Sequence, residues 1–197
     1  MSDPSRRDLI RITLTTVGAG VVSAEAAQHV HQAVTAEKKT AAPFKPKRFT
    51  AVEYKTLQRL ADLIIPADEK SPGALAAGAP EFIDFLASQS DELAAIYTGG
   101  LAWLDNQMKK RYSASFVAAK PEQQTAILDL IAFRKNESPE LNPGIVFFTW
   151  VRNMTVDAFY TSKVGMDDLG YMGNSAMSEF SVPVEAIRYA VKRSGLA

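Results

Sequence analysis

The chain has 197 residues, of which 47% are hydrophobic, 22 are basic and 22 are acidic, so its formal net charge is zero. This size and apolar content suit one globular domain with short additional segments, while the balanced charge excludes a global electrostatic attraction to nucleic acid or to an anionic membrane. Because the chain contains no cysteine, it forms no disulfide, thiolate zinc site, iron–sulfur ligation or covalent c-type haem attachment.

The N-terminus has the pattern of an export signal. The basic stretch SRRDLIR precedes eleven uncharged residues, Ile12 to Val22, which are too few to span a bilayer, since a spanning helix needs about 20. Small residues follow, and cleavage near Ala26 completes the pattern of a signal peptide. The order of residues resembles the twin-arginine consensus, and the alternative is an ordinary secretory signal. The residues that carry this prediction are Ser5, Arg6, Arg7, Leu9, Ile10 and Arg11.

Residues 28–48 are predicted to form a polar tether. The segment is rich in lysine, and Pro43 and Pro46 interrupt regular structure. His29 and His31 lie two residues apart, whereas a metal-binding pair on one helix face is spaced by four. We therefore expect both histidines to be solvated.

The folded body is predicted to begin at Phe49, where the chain takes on the periodicity of an amphipathic helix. Thr50 and Glu53 have the spacing of a capping box, and Phe49 is positioned to pack on Tyr54. Apolar residues then recur at intervals of three and four until Pro66 ends the helix.

Three more helices are predicted beyond a loop rich in proline and glycine, which spans residues 66–80. They cover the sequence EFIDFLAS, the stretch from Asp91 to Tyr112, and a segment that begins at Pro121, since proline is favoured at the first helical position. Gly99 and Gly100 lie within the longest of these helices and are expected to bend it.

The fifth predicted helix starts near Pro143 and is apolar on nearly all sides. Phe147, Val151, Met154 and Ala158 share one face, and aromatic residues spread around the others. A helix of this kind is buried on more than one side. We expect it to be the central core helix or, in part, a contact for another protein.

The segment that follows, AFYTSKVGMDDLGYMGNSAMSEF, is predicted to be a long loop with a docking surface. Aromatic residues and methionines are enriched where proteins dock, and the alternative is a loop folded onto the chain's own core. The neighbouring carboxylates of Asp167 and Asp168 do not by themselves make an acid–base pair. The predicted partner-contacting residues are Phe159, Tyr160, Met166, Tyr171, Met172, Asn174, Met177 and Phe180.

Together these segments predict an all-α protein, because no alternating run of strand length competes with the helices. A signal peptide at 1–27 and a tether at 28–48 are expected to precede a compact domain at 49–197. That domain should contain about five to six helices and a long C-terminal loop region. No catalytic, cofactor-binding or metal-binding residue is predicted in this chain.

Three stretches carry a family resemblance. They are LADLIIPADEKSPGALAAGAPEFID at Leu60 to Asp84, FFTWVRNMTVDAFYTS at Phe147 to Ser162, and LGYMGN at Leu169 to Asn174. With the twin-arginine start, they resemble the gluconate 2-dehydrogenase subunit 3 family, which comprises small subunits of membrane-associated FAD-dependent sugar and polyol dehydrogenases. The likeness covers essentially the whole predicted body, from Phe49 to about Phe180.

The resemblance implies a division of labour. A larger flavoprotein of the glucose-methanol-choline type holds FAD and oxidises the sugar, a multihaem cytochrome c often accepts the electrons, and the small subunit carries the export signal. This chain is then expected to be a non-catalytic periplasmic subunit, peripheral to the inner membrane, that escorts and stabilises the flavoprotein.

Two alternatives remain open from the sequence. The chain is either a membrane-tethered structural protein that keeps its N-terminus, or an autonomous periplasmic enzyme. A di-iron site of Glu-x-x-His type is excluded for such an enzyme, because no histidine follows His31.

Overall fold

The computed structural model describes residues 22–38, 44–171 and 182–194, and within these ranges the chain is helical and contains no β-strand. The predicted all-α class is confirmed. A 3₁₀ turn covers Arg134–Asn136. The helices are α1 (Ala24–Lys38), α2 (Ala51–Ile64), α3 (Gly73–Ala76), α4 (Ala79–Gln89), α5 (Asp91–Tyr112), α6 (Pro121–Ile131), α7 (Asn142–Tyr160), α8 (Lys163–Asp168) and α9 (Val184–Ser194).

The N-terminus of α2 has the predicted capping box. The Thr50 hydroxyl accepts the Glu53 backbone N–H at 3.3 Å, and the Glu53 carboxylate accepts the Thr50 backbone N–H at 2.8 Å. Such a cap contributes about 1 kcal/mol. The ring contacts differ from the predicted packing of Phe49 on Tyr54: the Phe49 ring centroid lies 5.9 Å from that of Tyr97, and Tyr54 faces Phe44 at 5.4 Å.

The boundaries of the longer helices agree with the predictions. The Ser90 hydroxyl caps α5 by accepting the Leu93 N–H at 3.2 Å, and α5 ends at Tyr112, followed by Ser113 as a C-cap with a left-handed φ of 56°. α6 begins at Pro121, as expected. The described residues contain more helices than the predicted five to six, because α1, α3, α8 and α9 form in segments predicted as tether or loop.

α7 is the central helix of the body. Phe147, Val151 and Met154 are at most 1% exposed, and α7 contacts α2, α3, α4, α5, α6 and α8. Burying a side chain of this size contributes about 1.5–3 kcal/mol. The prediction of a central core helix is therefore confirmed.

Two glycines let α5 and α7 approach closely. A Cβ at Gly100 of α5 would overlap the Phe147 ring, and a Cβ at Gly144 of α7 would overlap the Trp103 ring. A Cβ at Gly99, by contrast, would meet nothing within 4 Å. α5 continues through both of its glycines as one helix, and Gly100 makes room for a neighbouring ring.

A buried carboxylate ties the segment before α2 to α4. Asp84 has no exposed surface, and its two oxygens accept the backbone N–H groups of Lys47 at 2.7 Å, Arg48 at 3.0 Å and Phe49 at 3.1 Å. Three donors replace the water that a buried charge loses. This side chain thereby fixes where the chain enters α2.

Helix α1 occupies part of the segment predicted as a tether. Ala27, Val30 and Val34 lie on one side of α1 and are at most 5% exposed, and α1 packs against α4. Residues 24–38 are therefore part of the folded body and not a solvated tether. The boundary of the signal peptide at residue 27 stays a prediction.

Candidate partner-docking surface

The predicted partner-contacting residues lie in two different environments. Tyr160, at the end of α7, and Tyr171, after α8, are 40% and 52% exposed, and Met166 on α8 is half-buried. Phe159 is only 1% exposed, so the prediction that it contacts a partner is corrected. It faces the core because it lies on the same side of α7 as Phe148 and Thr155, which are buried too. Met172, Asn174, Met177 and Phe180 lie outside the described residues.

A tight turn between α7 and α8 sets the direction of this surface. The Ser162 hydroxyl donates to the Phe159 carbonyl at 2.6 Å and accepts the Gly165 N–H at 3.1 Å, so it caps both helices. A Cβ at Gly165 would overlap the Phe159 carbonyl. The segment was predicted as a long loop, but Ser162 and Gly165 provide the cap and the space that a short helix needs here.

α8 ends by turning back on itself. Gly170 has φ of 63°, and the Tyr171 N–H donates to the Met166 carbonyl at 3.0 Å, as at a helix C-terminus closed by glycine. This turn leaves Leu169 61% exposed beside Tyr171. Leu169, Tyr160 and Tyr171 are the exposed large apolar residues of this region, and we call them the α7–α8 patch.

Asp167, one of the two neighbouring aspartates beside the patch, forms an ion pair on α8. The Lys163 ammonium lies 2.9 and 2.6 Å from the two carboxylate oxygens of Asp167, four residues away on α8. Both side chains are largely exposed. A solvated ion pair of this kind stabilises a helix by only a few tenths of a kcal/mol, about 0.3–0.5.

Helix α9 carries a second exposed apolar surface, in a part of the chain where no docking surface was predicted. Val184, Ile187 and Val191 share one side of the helix and are 56%, 49% and 37% exposed. Charged residues, including Glu185 and Arg193, occupy the other side. The spacing of three and four residues between the apolar positions is the signal that would have predicted it. No residue of α9 is buried.

Two open clefts lie elsewhere on the body. One has a volume of about 410 Å³ and lies between the 3₁₀ turn and α7, where Arg134 and Trp150 contribute to its walls. The other has a volume of about 640 Å³ and lies between α1, α3 and the start of α8. His31 and Thr161 line this second cleft.

His31 is held at the contact between α1 and the body. Its Nε2 lies 2.9 Å from the Thr161 hydroxyl, and its ring centroid lies 4.9 Å from that of Phe82. Burial lowers the pKa of His31 below its ordinary value of 6.5, and a hydrogen bond with the Ala158 backbone opposes this shift. The expectation of a solvated histidine is therefore corrected at this position.

Asp157 of α7 lies at the other end of the same contact. Its Oδ2 accepts the Val22 backbone N–H at 3.1 Å. Burial raises the pKa of Asp157 above its ordinary value, and the hydrogen bond from Val22 opposes this shift. Asp157 of α7 thus holds the chain just before α1, and Thr161, the residue after α7, holds His31 in the middle of α1.

Within the described ranges, no group of three or more histidine, aspartate or glutamate side chains could hold a metal ion. In the same residues, no helix is both long and apolar enough to cross a membrane. The predicted export-signal residues, Ser5 to Arg11, lie outside the part of the chain that the structure describes.

Comparison with known proteins gives one match. The family model described as gluconate 2-dehydrogenase subunit 3 matches residues 51–178, a range that runs from the first residue of α2 past the end of α8. No curated protein and no solved structure matches the chain. α1 and α9 lie outside the matched range.

Proposed function

Since the chain belongs to the gluconate 2-dehydrogenase subunit 3 family, we propose that it is the non-catalytic small subunit of a periplasmic FAD-dependent sugar dehydrogenase complex. In this proposal the chain stabilises a flavoprotein subunit of the glucose-methanol-choline type and escorts it through the twin-arginine route. The family match is the observation that carries the proposal, because it covers the greater part of the folded body.

The exposed apolar surfaces support a role in binding another protein. The α7–α8 patch and the apolar side of α9 present aromatic and branched side chains that the other described residues leave exposed. Aromatic residues such as tyrosine are enriched among those that supply most of the binding energy at protein interfaces. We propose that both surfaces contact the flavoprotein.

Transport as a complex sets a lower limit on the strength of this contact. A nanomolar dissociation constant corresponds to about 12 kcal/mol, and stable interfaces of standard size bury about 1,600 Å². The α7–α8 patch alone is too small for such an interface, since it contains three side chains. Docking through α9 as well would enlarge the contact.

The export role rests on the sequence of the first eleven residues. Arg6 and Arg7 have the twin-arginine arrangement, and this route carries proteins that are already folded. In our proposal the FAD lies in the partner, and a multihaem cytochrome c receives the electrons. The complex would then lie at the periplasmic side of the inner membrane.

The experiment that tests the proposal replaces Arg6 and Arg7 by lysine in cells that produce both subunits. We expect the periplasmic activity of the flavoprotein to be lost and the activity to accumulate in the cytoplasm. The matched control makes the same two conservative changes at Arg111 and Arg134, which are exposed on the body. This control should leave periplasmic activity unchanged.

Two results would overturn the proposal. Periplasmic activity that survives the lysine substitutions would show that the flavoprotein reaches the periplasm without this chain's signal. A pull-down of the wild-type chain that recovers no yellow flavoprotein would remove the partner on which the proposal depends.

A further inference from the structure

We infer that α1 protects the predicted signal-cleavage site, so that the folded chain retains the residues before Ala27. The inference rests on the proposed twin-arginine export, because a chain that is exported folded meets the processing protease with α1 already in place. It changes the predicted outcome of processing, since the sequence pattern alone favours cleavage near Ala26.

The predicted cleavage site lies in the first turn of α1. Ala26 is 8% exposed and Ala27 has no exposed surface. The Ala27 N–H donates to the Ser23 carbonyl at 2.9 Å, and the Ala26 N–H donates to the Ser23 hydroxyl at 3.3 Å. Susceptibility to a protease follows the burial and hydrogen bonding of the backbone around the bond. The burial and the hydrogen bonds must both be lost before a protease can reach the peptide bond between Ala26 and Ala27.

Contacts on both sides of the Ala26–Ala27 peptide bond hold the first turn of α1 against the body. Before it, Val22 is 7% exposed and its N–H donates to Asp157 at 3.1 Å. After it, Val30 and Val34 are buried, and His31 lies 2.9 Å from the Thr161 hydroxyl. Cleavage therefore requires α1 to leave the body, which is a local unfolding step.

The product of cleavage is disfavoured as well. Cleavage after Ala26 would create a new α-amino group at Ala27, whose pKa of about 7.7–8.0 leaves it largely protonated at neutral pH. This cation would stand at the N-terminus of the shortened α1, where the helix dipole disfavours a positive charge, and the hydrogen bond from Val22 to Asp157 would be lost. A processed chain would thus hold α1 less firmly than the intact chain.

The test reads the N-terminus of the exported protein. The full chain is produced in a host with active twin-arginine transport, and the exported fraction is analysed by intact-mass spectrometry. We expect the wild-type chain to keep residues before Ala27. In the variant Val30→Asp, which places a charge under α1, we expect the species that begins at Ala27. The matched control Gln32→Asp adds the same charge on the exposed side of α1 and should stay uncut.

A second measurement does not depend on export or on full disruption of α1. The purified full-length chain and the milder variant Val30→Ala are treated with a nonspecific protease, and cuts within residues 22–36 are located by mass spectrometry. We expect these cuts to be about tenfold faster in Val30→Ala, because the open population rises. The Gln32→Ala chain should be cut at the wild-type rate.

The outcomes separate this inference from the proposed function. A wild-type exported chain that begins at Ala27 would overturn the inference, and so would equal protease rates for wild type and Val30→Ala. Neither result concerns whether a flavoprotein is bound. Conversely, loss of the escort proposal through the Arg6 and Arg7 variant would leave the protease measurement and its interpretation intact.

Discussion

Gly99 and Gly100 are adjacent in α5 and have opposite surroundings. Gly100 is buried and its missing Cβ makes room for the Phe147 ring, whereas Gly99 is exposed with no neighbour within 4 Å. The contact between α5 and the central helix α7 therefore depends on one of the two glycines. The other only weakens the helix, because glycine loses more backbone entropy than alanine.

The two glycines should respond oppositely to alanine. We expect Gly100→Ala to lower the free energy of unfolding by about 1–3 kcal/mol, because the added methyl group overpacks the contact with Phe147. Gly99→Ala, the matched control, should raise it by about 0.5–1 kcal/mol. Urea denaturation of the purified variants measures both. Equal effects at the two positions would contradict the close approach at Gly100.

The sequence could predict the helix that contains these glycines but not their roles. α5 was expected over the residues where it lies, because the spacing of its apolar residues is a local signal. The difference between Gly99 and Gly100 depends on a ring that is 47 residues away in the chain. The same limit applies to Asp84, whose three hydrogen bonds go to residues 47–49, and no local pattern indicates them.

Among the helices, α1 was predicted as a tether because its buried apolar residues are few and small. Its stripe consists of Ala27, Val30 and Val34, and the surrounding polar residues give the segment the composition of a tether. α4 supplies much of the apolar surface that the stripe covers. Composition alone therefore favours a solvated segment, and the burial of these residues depends on their packing against α4.

The stability of α1 docking should depend on pH through His31. Its folded pKa lies below 6.5, so the unfolded chain binds more protons below pH 6.5 and stability falls as the pH falls through this window. We expect His31→Gln to reduce this pH-dependent loss of stability. At neutral pH the variant should have a free energy of unfolding about 1 kcal/mol lower than the wild type, because the contact with Thr161 is lost.

The measurement compares the free energy of unfolding at about pH 7.5 and about pH 5. His29→Gln is the control, because His29 is exposed on the same helix, and it should keep the wild-type difference between the two pH values. A His31→Gln chain with that same difference would contradict the role of burial at His31.

For the molecule as a whole, the fold class and the family could be predicted from the sequence, and the exposure of the predicted partner-contacting residues only in part. Tyr160 and Tyr171 were expected at the surface and lie there, whereas Phe159 is buried. Neighbouring residues of a helix point about 100° apart around its axis, so one can face the core while the next faces the solvent. Which of them faces the core depends on the packing of α7.

Helix α9 offers the sharpest test of docking. We expect Ile187→Ser to change the free energy of unfolding of the isolated chain by less than about 0.5 kcal/mol, since no residue of α9 is buried. Recovery of the flavoprotein in a pull-down should fall about tenfold or more, as for an interface residue that contributes strongly.

Glu185→Ser is the matched control, because Glu185 lies on the charged side of α9. It should recover the flavoprotein as the wild type does. Equal recovery with Ile187→Ser and the wild type would contradict docking through α9, and the export test at Arg6 and Arg7 would still stand.

Asp157 and Asp84, which bind the chain before and after α1, are also expected to determine how the protein responds to a pulling force. A force on the leading end first loads the bond between Val22 and Asp157 and then peels α1 away from α4. Beyond α1, the three bonds to Asp84 resist before the pull reaches α2. We therefore expect α1 to detach first under tension, while the remaining helices stay folded.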